Sequence, residues 1–303
     1  MTSPRTFGIA PSSYRLPDAT TLGAVHLQIA DLARSIAYYR DVIGLRVLAS
    51  TSSLALLAPH DDDRVVIELH ELPGAAPVAA RGRLGLFHVA ILLPDRPSLG
   101  RFLAHLASID ERVGMSDHIV SEAIYLTDPD GLGIEVYADR PRALWRAQDA
   151  QLEMGTLPLD ARDLINAADG VPWSGAPAGT TVGHVHLHVG ALEQAAAFYH
   201  DGLGFDKTVW GYQGALFMSA GGYHHHLGTN IWARGAMPAG PAEARLLEWQ
   251  LVVPTHDDVY ALESHLGRQQ ITVLRDADTL LVDDPWGTRV RVRPLLSDRS
   301  TRA

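Results

Sequence analysis

A long internal repeat constrains the fold of this 303-residue chain more than any other feature of its sequence. The segment that begins Gly23-Ala-Val-His-Leu returns in the second half as the segment that begins Gly183-His-Val-His-Leu. At nearly the same spacing, the turn sequence Asp128-Pro-Asp-Gly returns as Asp284-Pro-Trp-Gly. Self-similarity over such a distance is typical of repeated structural units. The sequence therefore predicts two homologous halves.

Each half contains a finer repeat, which consists of a short strand, an amphipathic helix and three further short strands. Alternating apolar residues predict a strand over 22–29, and apolar residues at helical spacing predict a helix over 32–43. The same pair recurs at 86–93 and 98–106. Turn residues at 128–131 join two more strands. The pattern predicts an α+β fold of four βαβββ modules.

A change of composition marks the boundary between the halves. Residues 143–180 contain a short helical patch followed by a stretch rich in Pro and Gly, which is typical of a linker. The chain is long enough for two domains that each bury a core. We therefore expect an N-terminal domain at 1–142 and a C-terminal domain at 181–303, each with two modules.

The composition argues against several classes of function. The chain has 25 Lys and Arg against 35 Asp and Glu, so it lacks the basic excess that nucleic-acid partners require. No apolar run approaches the ~18 residues of a membrane span, and the N-terminus lacks a signal-peptide pattern, so we expect a cytoplasmic protein without a membrane partner. Because the chain has no cysteine, its 15 histidines must carry much of any metal chemistry.

Four potential metal ligands lie opposite apolar neighbours on predicted strands. Alternation gives this placement to His26, His88 and Glu135, and Glu68 shares it. A single His or Glu at such a position is more often an ordinary polar residue on the open face of a sheet. Four of them at equivalent positions in repeated modules favour a shared site.

The second half holds a related set of side chains at the matching positions, namely His186, His226 and Glu248. If the His-rich run is a strand, His224 shares a face with His226 and remains an alternative to it. Arg291 stands where the first half has Glu135 and cannot be a ligand, because guanidinium stays protonated. The second half therefore holds either a second metal site or an ion pair between Arg291 and Glu248.

The module repeats, the run Leu86-Phe-His-Val-Ala-Ile and the segment 121–135 resemble the vicinal oxygen chelate superfamily of glyoxalases, bleomycin-resistance proteins and extradiol dioxygenases. The two-domain layout, with Gly222-Tyr-His-His-His-Leu-Gly in the second half, is similar to the bacterial catechol 2,3-dioxygenase proteins of the bacillus type. The resemblance implies that the modules pair into two domains, whose curved mixed sheets surround a metal.

The resemblance also implies roles for individual residues. His26, His88 and Glu135 would hold Fe(II), with Mn(II), Zn(II) or Ni(II) as alternatives, and would leave positions open for a catechol-type diol and O2. His118 would move protons, and Tyr125 would hydrogen-bond the substrate. These roles imply an extradiol ring-cleaving dioxygenase, which could also form a homo-oligomer.

Two other functions stay open at this point. Glu68 resembles the fourth metal ligand of glyoxalase-type isomerases, and a fourth ligand would favour isomerase or lyase chemistry. A non-catalytic small-molecule binder, similar to the drug-sequestering relatives, would use an aromatic-lined cavity and bind no metal. Bound metal and its identity separate the three functions.

Overall fold

The computed structural model describes residues 7–79 and 82–295, and it contains the four predicted βαβββ modules. The first module consists of β1 (Thr21–Ile29), α1 (Leu32–Asp41), β2 (Arg46–Ser50), β3 (Leu54–Ala58) and β4 (Ile67–Glu71). The second consists of β5 (Gly85–Leu92), α2 (Arg96–Ser108), β6 (Gly114–Asp117), β7 (Ser121–Thr127) and β8 (Gly133–Asp139).

The third and fourth modules follow a short connecting segment. That segment contains a 3-10 turn (Arg142–Leu144), β9 (Ala147–Gln148), β10 (Gln151–Leu152) and α3 (Ala161–Asn166). The third module consists of β11 (Thr181–His188), α4 (Leu192–Ala195, continued by a π-helical stretch at Ala196–Gly202), β12 (Asp206–Val209), β13 (Ala215–Ser219) and β14 (Leu227–Asn230). The fourth consists of β15 (Arg245–Val253), α5 (His256–Arg268), β16 (Leu274–Asp276), β17 (Thr279–Asp283) and β18 (Arg289–Pro294).

Side-chain caps determine where the module helices begin. The Asp31 carboxylate accepts a hydrogen bond from the first turn of α1, and Asp95 does the same for α2. Thr255 forms a capping box at the start of α5. Among the described residues, no helix is both long enough and apolar enough to cross a membrane.

Two eight-stranded sheets of mixed direction organise the molecule. The outer-module sheet joins the first and fourth modules in the order β16-β17-β18-β15-β1-β4-β3-β2. The inner-module sheet joins the second and third modules in the order β12-β13-β14-β11-β5-β8-β7-β6. At their centres, β1 pairs with β15 and β5 pairs with β11, both antiparallel. The division into domains at 1–142 and 181–303 stays a prediction about the repeats, because each sheet contains strands from both sides of it.

One apolar core lies behind both sheets. Val25 and Leu27 of β1 belong to the same buried cluster as Val89 and Ile91 of β5. Because side chains alternate along a strand, the intervening residues of both strands point to the opposite, more polar face. The connecting segment also packs tightly: a Cβ at Gly100 of α2 would lie 2.2 Å from the carbonyl oxygen of Leu164 in α3.

We expect that neither half of the chain folds alone, because separation removes the central strand pair of both sheets and opens the shared core. The chain can be divided between Asp149 and Ala150, which are exposed between β9 and β10. Each half expressed alone should lack a cooperative unfolding transition, and co-expression should restore a soluble complex with one such transition. Cooperative unfolding of an isolated monomeric half would contradict this expectation.

Candidate metal centre

Three side chains converge on the polar face of the inner-module sheet. They are His88 on β5, Glu135 on β8 and His184 on β11, and all three are buried. Oε2 of Glu135 lies 3.0 Å from Nε2 of His88 and 3.2 Å from Nε2 of His184. Two imidazole nitrogens therefore lie beside one carboxylate oxygen, and all three side chains are largely shielded from solvent.

The strand register explains this convergence. In the antiparallel pair of β5 and β11, His186 lies opposite His88, and His184 lies opposite Ala90. The parallel neighbour β8 places Glu135 beside Ala90. The two ligand-type histidines are therefore diagonal neighbours on one face, and the carboxylate lies next to both.

The surroundings keep His184 and Glu135 in the protonation states that a metal needs. Burial lowers the pKa of His184 to about 4, against the opposing effect of the Glu135 carboxylate, so His184 is neutral near pH 7. Burial acts to raise the pKa of Glu135, but His184 and His88 together hold that pKa well below its usual range. An ionised carboxylate and a neutral imidazole are the forms that coordinate metals.

The donor set fits a divalent metal with open coordination positions. Nε2 of His88 is buried and makes no hydrogen bond to a described residue, although it lies near Glu135. The position on β14 that corresponds to Glu135 is Gly228, which has no side chain to supply a fourth ligand. Two histidines and one carboxylate with open positions are typical of non-haem Fe(II) oxygenases.

A cavity of about 280 Å3 opens onto this set of side chains. Its wall includes the apolar groups of Phe87, Met154, Phe217 and Trp232. The other residues that line it are His88, Ser116, His118, Tyr125, Glu135, Gly155, Thr156, His184, His186, Tyr212 and His225. The cavity is therefore large enough for a small aromatic molecule beside the candidate ligands.

His118 and Tyr125, both predicted from the sequence, lie together on this wall. Nδ1 of His118 lies 2.6 Å from the carbonyl oxygen of Gly155, so this nitrogen carries the proton and donates it. Nε2 then accepts a hydrogen bond from the Tyr125 hydroxyl at 2.5 Å. Burial, followed by the Glu135 carboxylate, raises the pKa of Tyr125 and keeps the phenol protonated.

His225 is a further histidine on the wall, and the sequence analysis did not select it. Its Nδ1 lies 2.7 Å from Nδ1 of His224, and Nε2 of His224 lies 2.9 Å from the Asp139 carboxylate. Because the carboxylate accepts from Nε2 of His224, a neutral His224 accepts at Nδ1 from Nδ1 of His225. This order leaves Nε2 of His225 unprotonated, and it has no hydrogen-bond partner among residues 7–79 and 82–295.

The structure does not place His26 with His88 and Glu135, so this sequence-based grouping is wrong. His26 lies in the outer-module sheet, because β1 pairs with β15 rather than with β5. Its Nδ1 lies 3.6 Å from Oε1 of Glu68 and 3.6 Å from Oε1 of Glu248. Glu68 therefore belongs to a different sheet from the candidate centre and cannot be its fourth ligand.

The outer-module sheet carries an ion pair where the inner-module sheet carries its candidate ligands. Nε and Nη2 of Arg291 lie 2.5 Å and 3.0 Å from the two Glu248 oxygens. Of the two alternatives that the sequence left open for the second half, this is the ion pair. His70 and Glu68 make a close contact of 2.7 Å beside it, and His26, Glu68 and His70 form a looser group of potential ligands.

The second predicted set, His186, His226 and Glu248, is not assembled. His186 lines the inner-module cavity, whereas Glu248 belongs to the other sheet. His226 accepts a hydrogen bond from the backbone of Ala220, and its alternative, His224, contacts Asp139. The alternation argument failed here because β14 begins only at Leu227, so the His-rich run is a bend and not a strand.

His184 is the candidate ligand that the sequence analysis missed, although the sequence contains a signal for it. His88 lies seven residues before Asp95, the N-cap of the helix that follows, and His184 lies seven residues before the N-cap Ala191. The corresponding position in the first module is Ala24. Counting back from the helix start, instead of matching His26, identifies the ligand-bearing position.

Comparison with known proteins agrees with this architecture. The family model of the Glyoxalase/Bleomycin resistance protein/Dioxygenase superfamily matches residues 21–136 and 181–292. The chain belongs to this superfamily. It is 46% identical over 242 residues to a Bacillus subtilis protein named catechol-2,3-dioxygenase, an alignment that covers 79% of this chain and 84% of the relative.

Solved structures of low sequence identity share the fold. A candidate dioxygenase of Bacillus subtilis superposes with a TM-score of 0.64 at 12% identity, covering 93% of this chain and 86% of the other. A glyoxalase I variant of Zea mays superposes with a TM-score of 0.55 at 15% identity, covering 91% and 94%. At these identities the likeness concerns the fold alone.

We expect His184→Ala to lower the affinity for Fe2+ by about 100-fold or more, because loss of even a supporting outer-shell partner costs about 10–100-fold. Anaerobic titration and metal content after gel filtration measure the effect. His256→Ala is the matched control, and it should bind Fe2+ like the parent protein because His256 is exposed on α5 and belongs to neither group of potential ligands. Equal losses in the two variants would contradict this assignment.

Proposed function

We propose that this protein is a metal-dependent extradiol dioxygenase, which cleaves the ring of a catechol-type substrate with O2. One observation carries the proposal: His88, His184 and Glu135 face an apolar cavity, no fourth His, Asp or Glu of the described residues joins them, and His118, Tyr125 and His225 line the same cavity. The 46% identical relative named catechol-2,3-dioxygenase supports the same reaction. Iron(II) is the metal that such a donor set favours for oxygen chemistry.

His88, His184 and Glu135 would hold the metal on one side and leave the cavity side open. When bound there, the metal would supply the Lewis-acid and one-electron chemistry that a reaction between a vicinal diol and O2 requires. Phe87, Phe217 and the other apolar wall residues would position the ring and exclude water. The residues thus supply orientation, a dry cavity and proton acceptors.

The two cavity histidines have different hydrogen bonds, which favours different roles. Nε2 of His118 already accepts from Tyr125, so the Tyr125 hydroxyl oxygen is held where it can accept a hydrogen bond from a substrate hydroxyl and orient it. Nε2 of His225 is unprotonated and without a partner among the described residues, so it is suited to accepting a proton from a catechol hydroxyl. The resemblance gave the acid–base role to His118, and the geometry favours His225 for it.

We expect the anaerobically purified, Fe2+-loaded protein to convert catechol to a yellow ring-cleavage product. With isotopically labelled O2, both oxygen atoms of one O2 molecule should appear in that product. His88→Ala should lose metal and activity together, whereas Glu248→Ala should keep both if it folds. Activity with one labelled atom only, or no ring cleavage with any of iron, manganese, zinc or nickel, would contradict the proposal.

We expect His225→Gln to lower the turnover number by about 100-fold or more, in the range typical of a lost general base. Its metal content should remain that of the parent protein, since His225 is not in the ligand set. Tyr125→Phe should raise KM more than it lowers turnover, because it removes a hydrogen bond to the substrate. Full turnover in His225→Gln would contradict the assignment of the proton acceptor to His225 and would favour His118 instead.

A further inference from the structure

The polar face of the outer-module sheet has a cavity of its own, with a volume of about 650 Å3. Apolar side chains of Leu22, Leu56 and Val252 form part of its wall. Arg64 and Arg293 are the cationic groups that line it. This cavity lies in the sheet that lacks the candidate metal ligands, so ring cleavage does not account for it.

Arg293 is the unusual group in this cavity. It follows Arg289 and Arg291 on β18, and each of those two makes a bidentate ion pair with a carboxylate. Arg293 is partly buried, yet no carboxylate of residues 7–79 or 82–295 lies within ion-pair distance of it. Burial lowers the pKa of Arg293, as expected for a partly buried guanidinium without a carboxylate beside it among the described residues.

The hydrogen bonds of Arg293 leave one end of its guanidinium available. Nε donates to Oε1 of Gln250 at 2.9 Å, and Nη1 donates to the carbonyl oxygen of Pro294 at 3.3 Å. Nη2 makes no hydrogen bond to a described residue. The Gln250 amide is held in turn, because its Nε2 donates to Nε2 of His26 at 3.0 Å. The Arg293 side chain is therefore fixed in place but not neutralised.

A neighbouring cavity extends this cationic surface. It shares Ala19, Thr21, Leu22 and Arg64 with the first cavity, and Arg142 lines its far side. Arg142 lies over the rings of Trp145 and Tyr223, and neither Arg64 nor Arg142 has an ion-pair partner in the described part of the chain.

The carboxylates near these cavities already have partners. Glu68 lines the first cavity and lies 2.7 Å from Nε2 of His70. Asp18 lines the second cavity and lies 3.1 Å from Nη1 of Arg15. The two adjoining cavities thus form one groove, and three arginines that make no ion pair within residues 7–79 and 82–295 line it in a chain whose formal net charge is -10. An anionic ligand would neutralise the positive charge of these arginines.

We propose that this groove binds a small organic anion, with an oxyanion group on Arg293 and Arg64 and an apolar body against Leu22, Leu56 and Val252. The planar guanidinium presents paired donors that match carboxylate and phosphate oxygens. The apolar wall excludes inorganic phosphate as the best ligand, because it would leave that wall exposed to water. The site is independent of the ring-cleavage chemistry in the other sheet.

Isothermal titration with benzoate and phenyl phosphate tests the proposal, and benzyl alcohol serves as the neutral ligand of the same shape. We expect saturable binding of at least one anion at one per chain and none of benzyl alcohol under the same conditions. The preferred anion shows whether a carboxylate or a phosphate is the recognised group. Equal binding of benzyl alcohol would overturn the proposal.

Arg293→Gln should weaken binding of the preferred anion by about tenfold or more, as expected for loss of a charged hydrogen bond. Arg162→Gln, an exposed site on α3, is the matched control and should bind like the parent. Leu56→Trp keeps every charge but places a larger side chain in the cavity, so it should also abolish binding. It provides an independent test in case Arg293→Gln does not fold. Unchanged affinity in Arg293→Gln or Leu56→Trp, or loss of binding in His88→Ala, would overturn the proposal.

Discussion

The antiparallel pairing of β5 with β11 is the interaction on which the candidate site depends. It joins the second module to the third and sets the register in which His184 lies opposite Ala90. Only this register makes His88 and His184 diagonal neighbours, with Glu135 arriving from the parallel strand beside them. A shift of one residue would turn these side chains to the apolar core, because strand residues alternate between faces.

The same architecture in the other sheet has a different chemical content. The pairing of β1 with β15 repeats the geometry, but the ligand-bearing position on β1 is Ala24, and Arg291 replaces the carboxylate of Glu135. Arg291 and Glu248 then neutralise each other, so the charges that a metal would balance in one sheet are balanced by a guanidinium in the other. The two sheets thus share one fold but carry different charged groups at equivalent positions. This agrees with the general rule that function lies in sites and not in folds.

Hydrogen-bond direction distinguishes histidines that look alike in the sequence. A backbone carbonyl fixes the tautomer of His118, and the chain through His224 to Asp139 fixes that of His225. In the outer-module sheet, Arg293 orients Gln250, and Gln250 donates to Nε2 of His26. Nδ1 of a neutral His26 then carries its proton toward Glu68 and Glu248. In this tautomer Nδ1 of His26 presents an N–H and not a lone pair to the carboxylates, so it cannot ligate a metal in that form.

The repeat, the strand and helix periods and the turn residues predicted the four modules, because these signals are local and recur. Strand alternation predicted the faces of His88 and Glu135, and the family resemblance supplied His118 and Tyr125. All four lie in one module and so meet wherever that module packs. Local patterns could not predict which module packs beside it, since the period of a strand fixes which face a residue occupies but not which strand lies next to it. His26 was therefore grouped with the wrong sheet, and His225 was missed because it lies in a bend.

By itself, the sequence determined the architecture of each module and the set of side chains available for chemistry. Only the tertiary structure decided which modules share a sheet, and with that decision it brought His184 to His88 and Glu135 and left His26 with Glu68 and Glu248. The physical reason is that module pairing depends on the backbone hydrogen bonds between β1 and β15 and between β5 and β11, and on one core common to both sheets. These non-local contacts join strands from the two halves of the chain, and no local pattern encodes them.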